Sequence, residues 1–275
     1  MTVPFPLASC TFMEVRGARV LLTGASGGIG PIIARGLADR GARLVLSGRR
    51  EEVLSALAAD LHAAVLVADL ADPAAPERLA REVGEVDVFV SNAALPADGS
   101  VDDYSPEQID RALDVNLRAP IFLARALVPG MVARRRGHVV LMASIGGIAT
   151  TPGSALYSAT KFGVRGFGLA LRQDLRGTGV GVTLIHPAFV DEAGMFAESG
   201  VKLPPGATTV SPRDVAGAVA RAIERGPAEI MIAPLLLRIG TYLAGLAPAP
   251  VAAVSRRLGA YEIQAQLAEA HRSKR

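Results

Sequence analysis

The chain has 275 residues, 50% of them hydrophobic and 20% charged, enough apolar material for one large globular core. The net charge of +3 is scattered, aromatic residues make up only 4% and Trp is absent, which excludes an aromatic platform for single-stranded nucleic acid. Cys10 is the sole cysteine, so no internal disulfide can form, and the histidines at 62, 138, 186 and 271 have no metal-ligand spacing. A reducing, cytoplasmic setting without nucleic-acid partner or metal is therefore expected.

Residues 1–16 have no positively charged start ahead of an apolar stretch. They are expected to form a loose extension with no signal peptide, and Met13 is a candidate start. The apolar run 19–23, bounded by Gly17 and Gly24, predicts a buried parallel strand. Gly24, Ser26, Gly28, Ile29 and Gly30 follow in one loop, and Pro31 opens a helix over about 32–39. Such a loop lets the backbone approach a pyrophosphate, which rests on the free N–H groups of the helix start. Further strands are predicted at 43–47, 64–68, 87–91, 138–143, 180–185 and 229–233, separated by helical stretches. This alternation predicts an α/β fold: a single-domain, Rossmann-type, doubly wound parallel sheet of seven strands with helices on both faces.

Asn92 and Ala93 stand at the carboxyl end of the fourth strand, where such sheets bind ligands. A helix is predicted from about 102 to 133, and Asn116 lies inside it, where a buried amide must find partners. Ser144 follows the fifth strand. Tyr157 and Lys161 share one face of a helix reaching about 177. A cation beside the phenol favours its ionised form, so the Tyr157 pKa is expected to fall toward the range of a general acid or base. The triplet Arg134-Arg135-Arg136 reads as a solvated helix end.

Together these segments resemble the short-chain dehydrogenase/reductase family over about 17–233. Thr23 to Gly30 is similar to its cofactor loop, Asp69-Leu70 to its adenine-contacting pair, and Asn92-Ala93-Ala94 to its Asn-Ala-Gly turn, with Ala94 in place of Gly. Asn116, Ser144, Tyr157 and Lys161 fall at its four catalytic positions. The resemblance implies that Ser144 hydrogen-bonds a substrate oxygen and Tyr157 exchanges its proton. It also implies that Lys161 holds the nicotinamide ribose and that Asn116 places a water relaying protons to Lys161. Pro187-Ala188 stands for the usual Pro-Gly, and Glu192 where a Thr often holds the nicotinamide amide. Backbone contacts near Pro187 and Val190 are then expected to orient the ring.

The expected activity is NADP(H)-dependent interconversion of a carbonyl and an alcohol. Gly48 stands where NAD binders carry an acid for the ribose 2′-hydroxyl, and Arg49 suits a 2′-phosphate, with Ser47 or Ser26 adding a hydroxyl. NAD(H) stays open, as do an epimerase or dehydratase on the same fold and a non-catalytic dinucleotide-sensing protein. Leu95, Ile145, Phe189, Met195 and Phe196 are the expected pocket lining and suggest a lipophilic small-molecule substrate. Helices 112–133 and 155–176 look like the pair this family uses to build homodimers and homotetramers, with Ala155, Ala159, Gly163, Gly166 and Ala170 allowing close approach. The tail 234–275 is apolar over 234–247 and basic at Arg256 and Arg257. It is too short and interrupted to span a bilayer, and is expected to cover the cleft or an oligomer partner, or to lie weakly on a membrane surface.

Overall fold

The computed structural model describes residues 13–203, 208–257 and 260–272, so Cys10 and most of the expected extension lie outside it. Met13 and Val15 are buried in the core. The packed chain thus reaches back to Met13 and does not stop at Gly17.

Seven strands, β1 (Arg19–Thr23), β2 (Arg43–Gly48), β3 (Ala64–Val67), β4 (Val88–Ser91), β5 (Gly137–Met142), β6 (Val180–Pro187) and β7 (Glu229–Ile232), form one sheet in the order β3-β2-β1-β4-β5-β6-β7. All pairings are parallel. The central strands read as unbroken apolar runs because helices cover both faces, and every residue of β4 and β5 is buried. Successive strand residues point to opposite layers. Val20 and Leu22 pack with α1 (Gly30–Ala38), α2 (Glu51–Leu61) and α8 (Pro212–Arg225). Leu21 packs with α3 (Ala75–Val83), α5 (Ala119–Ala133) and α6 (Ala155–Asp174).

The helix expected over 102–133 is interrupted. It comprises a 3-10 turn at Val101–Asp103, α4 (Pro106–Leu113), a π turn at Asp114–Arg118, and then α5. Pro120 supplies the reason: it has no N–H to donate to the Asn116 carbonyl four residues back. The ladder slips by one residue, and the Ala119 N–H donates to the Asp114 carbonyl. Among the described residues one helical stretch, Pro106–Ala133, is long and apolar enough to cross a membrane, and half of its most apolar 18-residue window is buried in this fold. A short helix, α7 (Met195–Ser199), follows β6, and the tail folds into α9 (Leu235–Leu246), α10 (Pro248–Arg257) and α11 (Ala260–His271).

Candidate active site

The chain leaves β1 for one face of the sheet and β4 for the other, so a crevice opens at their carboxyl ends. There a cavity of about 1430 Å³ runs from the glycine loop to the tail helices. Gly24, Ser26, Gly28 and Ile29 line one end, with Arg49 after β2, Asp69 and Leu70 after β3, and Asn92 and Ala93 after β4. Ser144, Tyr157 and Lys161 line the middle, with Pro187 and Val190 after β6. Gly30 and Asn116 stand behind the wall. A Cβ at Gly30 would lie 2.2 Å from the Gly24 carbonyl oxygen, so only glycine lets α1 start this close to the loop.

The loop end fits a phosphorylated dinucleotide. A Cβ at Gly48 would come 2.6 Å from the Ser26 hydroxyl, which leaves no room for an acid beside the loop. The Ser47 hydroxyl is buried without a protein partner and lines the cavity. Arg49 is exposed and makes no ion pair among the described residues. Arg50 donates to the Ser26 carbonyl and so ties the end of β2 to the glycine loop. Asn92 supports the same loop: its amide donates to the Thr23 and Gly24 carbonyls, each at 3.2 Å.

In the middle of the cavity, the Ser144 loop rests directly on α6. A Cβ at Gly147 would stand 2.7 Å from the Lys161 carbonyl oxygen, and one at Gly146 3.2 Å from the Tyr157 ring. The Ser144 hydroxyl accepts from the Gly146 N–H at 3.1 Å. Lys161 is buried and donates to the Met142 carbonyl at 3.0 Å, with its ammonium 5.7 Å from the Tyr157 ring centre. Burial draws the Lys161 pKa down to about 8. The expected lowering of Tyr157 is not found. Burial pushes its phenol up to about 12, the Ser144 hydroxyl opposes this, and the Asp98 charge adds to it.

Asn116 holds the segment that follows β4. Its amide clamps one residue, accepting from the Leu95 N–H at 2.6 Å and donating to the Leu95 carbonyl at 2.9 Å. Pro120 denies the Asn116 main-chain carbonyl the usual α-helical donor. Glu192 lies at φ 58°, is exposed, and does not face the cavity.

His186 was not singled out from the sequence. Buried at the end of β6, it lies 3.0 Å from the Ser144 carbonyl through Nδ1 and 2.8 Å from Glu229 Oε1 through Nε2. Arg165 grips the same Glu229 carboxylate with two donors, at 2.7 and 3.2 Å. These bonds, His186 first and then Arg165, hold the Glu229 pKa down to about 2. The main chain of Ser144 is thereby braced against the sheet edge.

Beyond Tyr157 the cavity turns apolar. Ile145, Met195 and Phe196 line it with Leu95 and Phe189, and the Phe189 and Phe196 rings meet at 4.9 Å. α9, α10 and α11 close the far side through residues such as Leu237, Val251 and Leu267. His271 of α11 bonds both Asp98 Oδ2 and the Met195 carbonyl at 3.0 Å, which fastens the tail to both walls of the cleft.

A crevice at the switch point of a seven-stranded parallel sheet, with a glycine loop at one end and Ser, Tyr and Lys in the middle, defines a dinucleotide-dependent oxidoreductase. The short chain dehydrogenase family model matches residues 18–203. The "Dehydrogenase/reductase SDR family member 7B" of Bos taurus is 33% identical over 256 residues, covering 85% of this chain and 79% of that protein. The "NADP-dependent 3-hydroxy acid dehydrogenase YdfG" of Salmonella typhi is 40% identical over 183 residues, covering 62% and 72%. Among solved structures, a metagenomic short-chain oxidoreductase in complex with NADP superposes with a TM-score of 0.69 at 30% identity, covering 81% of this chain and 99% of that one. The chain belongs to the short-chain dehydrogenase family and is an oxidoreductase of that family.

Proposed function

We propose that the protein reduces a ketone or aldehyde on a lipophilic small molecule to the alcohol with NADPH, and catalyses the reverse with NADP⁺. One observation carries this reading: Ser144, Tyr157 and Lys161 converge where the glycine-loop half of the cavity meets its apolar half. When bound, the nicotinamide cofactor supplies or accepts the hydride. The Ser144 hydroxyl orients the substrate oxygen, and Tyr157 donates its proton to that oxygen. With its pKa near 12, Tyr157 is fully protonated at neutral pH, which suits the reductive direction. The Lys161 ammonium, present below about pH 8, stabilises the phenolate as it forms.

The choice of NADP(H) over NAD(H) rests on Gly48, Arg49 and the unpartnered Ser47 hydroxyl. The NADP complex of the metagenomic enzyme supports it. The test is kcat/KM with each cofactor over a panel of ketones, aldehydes, steroids and acyl thioesters. Preference for NADPH of about tenfold or more is expected. Turnover with NADH alone, or none on any carbonyl, overturns the proposal. We further take the protein to be a homo-oligomer, since Ala155, Ala159, Phe162, Gly166 and Ala170 form an exposed stripe along α6. A monomeric mass by light scattering at micromolar concentration overturns that.

A further inference from the structure

The two faces of α9 have different surroundings. Inward, Leu237, Gly240, Thr241 and Ala244 line the cavity. A Cβ added at Gly245 would sit 3.4 Å from the Ile148 carbonyl, so the helix lies on the loop that carries Ser144. Outward, Ile239, Tyr242, Leu243 and Leu246 recur at helical spacing, and with Leu235 and Leu236, which also border the cavity at the start of the helix, they are 47–84% exposed. They are six of the eleven large hydrophobic side chains exposed among the described residues. A surface helix of a soluble domain ordinarily turns polar residues outward, and a contiguous apolar face of this kind marks a contact surface.

We propose that this face docks on an anionic phospholipid bilayer, with α9 lying in the headgroup plane and its outer stripe in the acyl boundary. Charge selects this occupant. Between Glu229 and Glu262 the chain carries Arg238, Arg256 and Arg257, all exposed, and no acid. Each arginine near an anionic surface strengthens partitioning about fivefold, the equivalent of about 1 kcal/mol. A second copy seated on the same stripe would bring the arginines of both chains together, which disfavours that pairing. The 12 residues of α9 rise only about 18 Å, well short of a hydrocarbon core of about 30 Å, so the helix lies on the bilayer and does not cross it. One helix therefore separates the cavity from the lipid, and a lipophilic substrate can reach Tyr157 past α9 without crossing water. That last step rests on the proposed carbonyl chemistry; the docking does not.

The experiment is co-sedimentation of the full chain with vesicles of equal parts phosphatidylcholine and phosphatidylserine, measured without turnover. Binding is expected, and it should weaken with salt and on phosphatidylcholine alone. Leu243→Glu with Leu246→Glu, both outside the cavity lining, should abolish binding while leaving the light-scattering mass and the reduction of a water-soluble carbonyl unchanged. Arg256→Gln with Arg257→Gln should weaken binding about fivefold for each residue. A wild-type chain that sediments no better than the double-Glu variant overturns the proposal. So does a double-Glu variant of lower oligomeric mass without lipid, since a second copy then covers the stripe.

Discussion

Replacing Tyr157 with Phe removes one hydroxyl from the middle of the cavity and keeps the ring against Gly146. Fold and cofactor binding should survive, while kcat falls by about 10²–10⁴, the usual contribution of a positioned acid. Single-turnover kinetics beside a cofactor-binding titration check this, and turnover within a few fold of wild type would take Tyr157 out of the chemistry. Arg49→Ala tests the other end of the cavity. KM for NADPH should rise about tenfold, the scale of a lost charge-assisted hydrogen bond, with NADH little changed. Equal loss with both cofactors would mean that Arg49 shapes the loop without reading the phosphate.

The strands were legible because each is a short apolar run between glycines or polar residues. The motif residues were legible because their order and spacing are preserved along the chain. What escaped depended on contacts between distant segments. His186 meets Ser144 and Glu229 at separations of 42 and 43 residues, which no local pattern reports. The pKa direction of Tyr157 escaped for the same reason, since neighbouring charges can be read from spacing but burial cannot. The π turn was within reach, because Pro120 stands four residues after Asn116 and must break that bond. At the scale of elements, Gly147 holds the Ser144 loop against α6. Gly147→Ala forces a Cβ to within 2.7 Å of the Lys161 carbonyl oxygen. It should cost about 1–3 kcal/mol in stability and lower kcat by separating Ser144 from Tyr157, as urea unfolding and steady-state rates would report. Unchanged values of both would show that loop and helix move apart without cost.

For the whole molecule, acid should act in two stages. His138 is fully buried in β5. Thr183 donates its own proton to the Pro227 carbonyl at 2.6 Å, so the His138 Nε2–H donates to Thr183 at 3.0 Å. Burial, and secondarily the Arg172 charge, draw the His138 pKa down to about 3 from 6.5. The unfolded chain therefore takes up this proton first as pH falls. Stability is full above about pH 6.5 and about 2 kcal/mol lower by pH 5. Glu229 adds the second stage: lowered to about 2 from 4.5, it contributes stability that is full above pH 4.5 and is lost as pH falls toward 2. Urea midpoints from pH 7 to 3 should trace both steps, with His138→Gln flattening the first and Glu229→Gln the second. A wild-type midpoint flat between pH 7 and 5 would contradict the first stage.

The strand order has a consequence in time. β1 ends at Thr23, and its partner β4 begins at Val88. At roughly 5–20 residues per second, a ribosome delivers β4 about 3–13 seconds after β1. Until then Val20, Leu21 and Leu22 belong to an open, apolar strand edge, the kind that pairs with whatever strand is near. A stretch fully buried in the finished enzyme is thus an exposed hazard during synthesis, and the period of risk is set by the length of chain between two adjacent strands.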